Sequence, residues 1–141
     1  MDFCQLQDPE KLQALATQDL NVSEERLQSQ LMTQPERYFF WGKSAAKAEA
    51  ARRSQEYRVK EILWPEARNI AREGLKRTGG KITEGNVDDI AMLNSDYRQG
   101  VEELVKAEEF SATLRAAEQA MRQRMEMLRS LNSRQRADYS A

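Results

Sequence analysis

The stretch from Thr33 to Lys81 constrains the fold of this chain most, because helical periodicity runs through nearly all of it. At about 100° per residue, its apolar side chains fall into one sector of a helix and most of its cations fall opposite. The apolar set is Tyr38, Trp41, Ala45, Ala48, Val59, Leu63, Ala67 and Ile70, and the basic set is Lys43, Lys47, Arg58, Arg68, Arg72 and Lys76. The pattern predicts a long helix with one packing face and one basic face.

Local signals predict the ends of this helix. Thr33 and Glu36 have the spacing of a capping box, and Pro35 suits a first helical turn, so we expect the helix to begin there. Gly79 and Gly80 predict its end. Pro65 predicts a kink or a break inside it, because proline has no N–H and its ring clashes with the preceding turn.

The remaining segments also have helical patterns, and none shows the alternation of a strand. Shorter helices are predicted to start at Asp8-Pro9, at Asn21 with Glu24, and at Thr83. The last helix is expected over 96–131, with frayed residues after Leu131. The predicted fold class is all-α, an elongated helical bundle whose two long helices, 34–78 and 96–131, would extend roughly 65 and 54 Å.

Apolar residues recur at heptad spacing along the last helix, which is typical of helices that pack against other helices. We therefore predict that this helix joins copies of the chain. The predicted oligomer interface comprises Leu114, Ala117, Met121, Leu128 and Leu131. The chain then divides into an N-terminal part, 1–81, with the basic helix, and a C-terminal oligomerisation region, 82–141.

The charges are segregated along the chain, although the formal net charge is only −1. Residues 1–37 carry a net charge of −4, residues 38–81 carry +6, residues 82–110 carry −6 and residues 111–141 carry +3. Cations gathered along one helix suit a phosphate backbone, and Tyr57 and Trp64 flank them as candidates to stack on unpaired bases. The predicted DNA contacts are Lys43, Lys47, Arg53, Arg58, Lys60, Arg68, Arg72 and Lys76.

The sequence offers no catalytic or metal chemistry. Cys4 is the only cysteine and histidine is absent, which excludes an intrachain disulfide, Cys/His zinc sites and Ser–His triads. Adjacent acids such as Asp88 and Asp89 point about 100° apart on a helix and do not converge. We expect no enzyme, no cofactor and no metal. The polar, acidic N-terminus and the lack of a long apolar run predict a cytoplasmic protein without a membrane span.

A set of positions between Asp19 and Trp41 matches a known family without gaps: Asp19, Leu20, Val22, Arg26, Leu27, Gln28, Tyr38 and Trp41. On these residues the chain resembles the UvsY family, the recombination mediators of T-even phages. The early pair Leu6-Gln7 also fits, and the segment Ala120-Met121-Arg122-Gln123-Arg124 is similar to an element of the family's last helix. Around Arg58 and Lys60 the chain has the family's basic-x-basic spacing with the two residue types exchanged.

The resemblance implies a small helical protein that forms a ring-shaped homo-oligomer, a hexamer or heptamer. It implies binding to single-stranded DNA in phage DNA recombination and repair. It also implies loading of a RecA-like recombinase onto strands from which a single-strand-binding protein is displaced. In the family, basic residues of the middle helix contact DNA, a role that Arg58 and Lys60 would take here.

Plainer interpretations stay open. The basic face can be a solvated surface whose cations pair with nearby acids: Glu49 with Arg53, Glu56 with Arg52 and Lys60, and Glu61 with Arg68. The chain would then be a helical scaffold or assembly adaptor without a nucleic-acid role, which the lack of net positive charge favours. The aromatic cluster Tyr38–Trp41 fits either a local core or a partner surface.

Overall fold

The computed structural model describes residues 6–20 and 27–140, with Leu27 and Gln28 described by their backbone only. Its helices are α1 (Pro9–Leu20), α2 (Leu27–Tyr57), α3 (Trp64–Thr78), α4 (Glu84–Ala91) and α5 (Ser95–Ser140), and a π-helical turn (Arg58–Leu63) joins α2 to α3. Within the described ranges no residue lies in a strand. The predicted all-α fold with two long helical segments is confirmed. The predicted helix start at Asn21 with Glu24 lies outside the described residues, as does Cys4.

Thr33 does not begin the long helix, contrary to the prediction. α2 already runs from Leu27, and both Thr33 and Pro35 lie inside it. The Thr33 hydroxyl donates to the carbonyl oxygens of Ser29 at 3.2 Å and Gln30 at 3.3 Å, which is typical of a threonine in a helix interior. The helix continues through the capping pattern because Gln34, which lies between Thr33 and Glu36, already belongs to the buried face of α2.

Pro65 does not end the helix either. The backbone N–H of Trp64 bonds to the carbonyl of Val59, five residues earlier, which defines a π turn. This turn holds one residue more than an α-helical turn, so it rotates all later side chains by about 100° relative to an uninterrupted α-helix. Ala71 is therefore buried, whereas Ile70, which we predicted for the packing face, is 52% exposed.

The helix boundaries beyond the basic segment follow local rules. Gly79 ends α3 with a φ of 70°, a left-handed conformation that glycine adopts without steric cost. The Thr83 hydroxyl oxygen caps α4 by accepting from the N–H of Asn86 at 3.2 Å, and the Asn94 side chain accepts from the N–H of Tyr97 at 3.0 Å.

α5 continues to Ser140, so the predicted end at Leu131 is wrong. Residues 132–140 contain no glycine or proline that would stop a helix.

The chain forms two compact units. The first unit combines Met1–Lys47 with Phe110–Ala141, and the second unit is Ala48–Glu109. The boundary that we predicted at residue 81 falls inside the second unit, because α3 and α4 pack against each other there.

The interior of the first unit joins apolar packing to a buried polar network. Its largest buried apolar side chains are Leu6, Trp41, Leu114, Met121 and Leu128. Beside them the Trp41 indole N–H donates to the Asp19 carboxylate at 2.9 Å, and the Arg124 guanidinium donates to the side-chain oxygen of Gln34. These bonds link α1, α2 and α5, and they satisfy polar groups that would otherwise be costly to bury.

The second unit packs on small side chains. Its core contains Ala67, Ala71, Val87 and Ala91, with Trp64, Leu75 and Tyr97 against it. Elsewhere in the unit a side chain at Gly100 would overlap Leu63, so α5 approaches the π turn closely there.

Candidate nucleic-acid interface

Near the end of α2, the cations of the predicted basic face lie one helical turn from acids. The Arg52 guanidinium bonds to Glu49 at 2.8 Å and to Glu56 at 3.0 Å. Glu56 also accepts from Lys60 at 2.7 Å, and Glu49 accepts from Arg53 at 3.2 Å. The predicted pairs of Glu49 with Arg53 and of Glu56 with Arg52 and Lys60 are confirmed. We call this series of ion pairs, from Glu49 to Lys60, the α2 ladder.

The α2 ladder favours the charged form of its members. Hydrogen bonds from Lys60 and then Arg52 lower the pKa of Glu56 below its usual value. The bond to Glu56 raises the pKa of Lys60, and bonds to Glu49 and Glu56 raise the pKa of Arg52. At neutral pH the ladder therefore carries anions among its cations, which reduces the positive potential that a phosphate would meet.

The arginines of α3 are directed toward α4. Arg68 bonds to Glu84, and its Nε lies 2.9 Å from an Asp88 oxygen. Arg72 lies 3.7 Å from Glu84. The predicted pair of Glu61 with Arg68 is wrong, because the π turn rotates Arg68 to the edge of the α3–α4 contact, where the acids of α4 meet it.

Two of the other four predicted contacts are paired as well. Arg58 lies 3.8 Å from Glu103, and Lys76 lies 3.4 Å from Glu73. Lys43 and Lys47 are exposed, and Lys43 forms no ion pair with any residue that the structure describes. Six of the eight predicted DNA contacts are thus ion-paired within the chain: Arg53, Arg58, Lys60, Arg68, Arg72 and Lys76.

The charge of the whole second unit agrees with this pairing. It contains eleven lysines and arginines against thirteen aspartates and glutamates, a net charge of −2. The segment 38–81 is basic in sequence, but folding brings Glu84, Asp88 and Glu103 from other segments to its arginines. The basic face is therefore largely balanced in space.

The aromatic candidates separate into packed and exposed residues. Trp64 is half-buried and packs against Tyr97, with ring centroids 5.0 Å apart and ring planes inclined by 48°, whereas Tyr57 is exposed. In the cluster Tyr38–Trp41, Trp41 is buried and Phe39 is 69% exposed. The cluster is thus core on one side of α2 and surface on the other.

The predicted oligomer interface lies inside the first unit. Leu114, Ala117, Met121 and Leu128 are buried within the single chain, and Leu131 is half-buried. Side chains that are buried within their own chain offer no surface to a second copy. Packing within the first unit therefore accounts for the apolar heptad pattern without an oligomer. Association between copies stays a prediction.

Sequence reasoning missed a row of arginines on α5. Arg115, Arg122, Arg129 and Arg136 are spaced by seven residues and are all exposed. Because seven residues are nearly two helical turns, the four lie along one side of α5, about 10 Å apart and over about 31 Å. We call them the arginine row. Counting charged rather than apolar residues at the heptad period would have found it.

The surroundings of the arginine row differ from those of the α2 ladder. Arg122 donates to the Tyr38 hydroxyl at 3.3 Å, a bond that raises the pKa of Arg122. Arg129 and Arg136 form no ion pair within the part of the chain that the structure describes. Over residues 115–136 there are six arginines and two glutamates, a net charge of +4.

Comparisons with known proteins identify no relative: no protein-family model, no curated protein and no solved structure matches the chain. Across the described ranges, no three or more Cys, Asp or Glu side chains are grouped as a metal site would require. None of the helices described has the length and apolar character of a membrane span.

Proposed function

We propose that this protein binds single-stranded DNA and acts as a recombination mediator. In this proposal, a ring-shaped homo-oligomer of six or seven copies holds a strand, weakens the grip of a single-strand-binding protein and promotes loading of a RecA-like recombinase. The protein acts by binding and catalyses no covalent step.

One observation carries the proposal: residues that resemble the UvsY family at opposite ends of the chain are neighbours in the fold. Asp19 and Trp41, from the first matching stretch, share a buried hydrogen bond. Tyr38, from the same stretch, bonds to Arg122, from the second. Contacts of this kind are expected where matching residues belong to one structural core.

The ion pairs of the predicted basic face oppose DNA binding only weakly. Arg58, Lys60 and their acid partners are substantially exposed. Exposed pairs contribute about 0–1 kcal/mol, so a phosphate can replace a carboxylate at small cost. Several copies acting on one strand would add avidity without any new kind of contact.

Titration of a labelled oligo-dT at two salt concentrations, with the oligomer sized by light scattering, tests the proposal. Phosphate contacts made by about six cations would give a log–log salt slope near −4, so affinity would fall more than a hundredfold between about 50 and 200 mM salt. We expect Arg58→Ala with Lys60→Ala to weaken binding. Unchanged affinity with an intact oligomer would remove these two residues from the site, and no binding at low salt would reject the proposal.

The mediator step has its own readout. Added to strands already coated with a single-strand-binding protein, the protein should shorten the delay before a RecA-like recombinase forms filaments. A protein that binds oligo-dT but leaves this delay unchanged binds single strands without being a mediator.

A helical scaffold or adaptor is the second candidate function. The net charge of −2 on the second unit and the six paired cations favour it, because domains that bind nucleic acid are usually basic. Under this alternative the oligo-dT titration gives no binding at any salt concentration.

A further inference from the structure

We propose that the arginine row of α5 is a binding site for single-stranded nucleic acid in the first unit, with Phe39 stacking on a base. This inference rests on the proposed function and assigns the strand to a surface to which the resemblance gives no DNA contact. The ligand class is a flexible chain of phosphates that carries unstacked bases.

The geometry of the row suits an extended polyanion. Four guanidinium groups follow one side of a single helix over about 31 Å, and the slow drift of a heptad around a straight helix turns the row by only about 20° per repeat. A linear array of this kind tracks a backbone, whereas a compact anion would contact one or two of its members. Arginine is also the cation best suited to phosphate, because its planar fork donates two parallel hydrogen bonds.

The electrostatics of the row favour an incoming anion. The two acids of the stretch, Glu118 and Glu126, lie near Arg122, whereas no acid occurs from residue 127 to residue 137. Arg129 and Arg136 lie in that acid-free part. Another arginine of α5, Arg124, is 2% exposed and donates to Gln34 in the interior. The buried polar network therefore uses Arg124 and not the four exposed members of the arginine row.

The aromatic neighbour favours single strands over other polyanions. Tyr38 contacts the row through Arg122, and Phe39, the next residue of α2, is 69% exposed. Phe39 thus exposes its ring on the same turn of α2 as Tyr38, and exposed aromatic rings together with cations are what proteins use to bind unpaired bases without sequence preference. An anionic lipid surface has no base to stack, and duplex DNA hides its base faces.

The first test compares two double variants by oligo-dT anisotropy at about 50 and 200 mM salt. Arg129→Gln with Arg136→Gln removes two members of the row. Arg98→Gln with Arg134→Gln removes the same charge from exposed positions outside it. Each row contact contributes about 0.7 to the magnitude of the salt slope, so loss of two should lower it by about 1.4 and the affinity at low salt by about tenfold or more. The control should change affinity less than about twofold.

The outcomes separate this inference from the proposed function. If the wild type binds oligo-dT and the row variant binds equally well with an unchanged slope, the row is not the site, and the proposed function stands. Equal losses of affinity in the row variant and the control variant would indicate that binding depends on overall charge, and would overturn the assignment of the arginine row as the site. If the wild type does not bind oligo-dT at low salt, both proposals fail. Circular dichroism verifies that each variant keeps its helices.

Phe39→Leu tests the stacking contact and the ligand class. We expect about a tenfold loss of oligo-dT affinity, with unchanged affinity for inorganic polyphosphate, which has no bases. Unchanged oligo-dT affinity would overturn the role of Phe39. Binding of phosphatidylserine vesicles as tight as that of oligo-dT, lost in the same row variant, would overturn the assignment to nucleic acid in favour of a membrane surface.

Discussion

The two units place their arginines differently. In the second unit Arg68 and Arg72 lie at the edge of the α3–α4 contact and pair with acids of α4. In the first unit one arginine, Arg124, is buried in a polar network, and the arginine row remains on the surface of α5. The segment that looks most basic in sequence is therefore the one whose cations are most completely balanced.

This difference shows that the electrostatic potential at the surface of a helix depends on the charged side chains that pack beside it as well as on its own residues. Residues 38–81 carry +6, but Glu84, Asp88 and Glu103 come from the acidic block that follows in sequence. Residues 111–141 carry only +3, yet their cations recur on one side of a helix, and few acids accompany them. For a phosphate chain, exposed cations in line matter more than their total number.

The largest expected effect concerns the polar network inside the first unit. Asp19→Ala removes the acceptor of the Trp41 indole N–H and the anion that lies 3.7 Å from Arg37. Buried groups that lose their partner are strongly destabilising, so we expect a loss of about 3 kcal/mol in unfolding free energy, measured by urea denaturation. Asp138→Ala, at an exposed position of α5, is the matched control and should cost less than about 0.5 kcal/mol. Equal effects would mean that the network does not stabilise the unit.

A smaller effect should distinguish the arginines of the two units. Arg68→Ala leaves a buried oxygen of Asp88 without its cation and should cost about 1–2 kcal/mol. Arg129→Ala removes an exposed side chain and should cost less than about 0.5 kcal/mol. Denaturant midpoints of the two variants provide the measurement. Similar losses would contradict the view that Arg68 is structural and Arg129 is not.

The smallest effect is a pH dependence in the α2 ladder. Because the pKa of Glu56 is lowered in the fold, its ion pairs stabilise the folded state fully above pH 4.5, its usual value. This contribution disappears as the pH falls from there through the lowered value. Urea midpoints measured across that range should decline more steeply for the wild type than for Glu56→Gln. Parallel curves would mean that the ladder does not contribute to stability.

Sequence patterns predicted the helices far better than their faces. The apolar stripe correctly selects Trp41, Ala45, Ala48, Val59, Leu63 and Ala67 as buried residues. The stripe fails at Ile70 because one extra residue in the π turn changes the helical phase, and Pro65, which predicts a kink or a break, instead follows this turn within a continuous helix. The capping pattern at Thr33 fails because a local signal is weaker than the packing of the helix around it, where Gln34 and Trp41 are buried.

The candidate site was predicted only in part, for a similar reason. Pairs within α2, one helical turn apart, follow from spacing, and the α2 ladder confirms them. The pairs of Arg68 with Glu84 and of Arg58 with Glu103 join residues far apart in the chain. Periodicity along one helix contains no information about which other helix lies beside it.

The sequence by itself determined the helical class, the C-terminal end of α3 and the start of α4, because these depend on periodicity, on the left-handed glycine at 79 and on the cap at Thr83. Only the tertiary structure decided which cations remain available. Ion pairing depends on distances of a few ångströms between segments, and those distances exist only after the helices have packed.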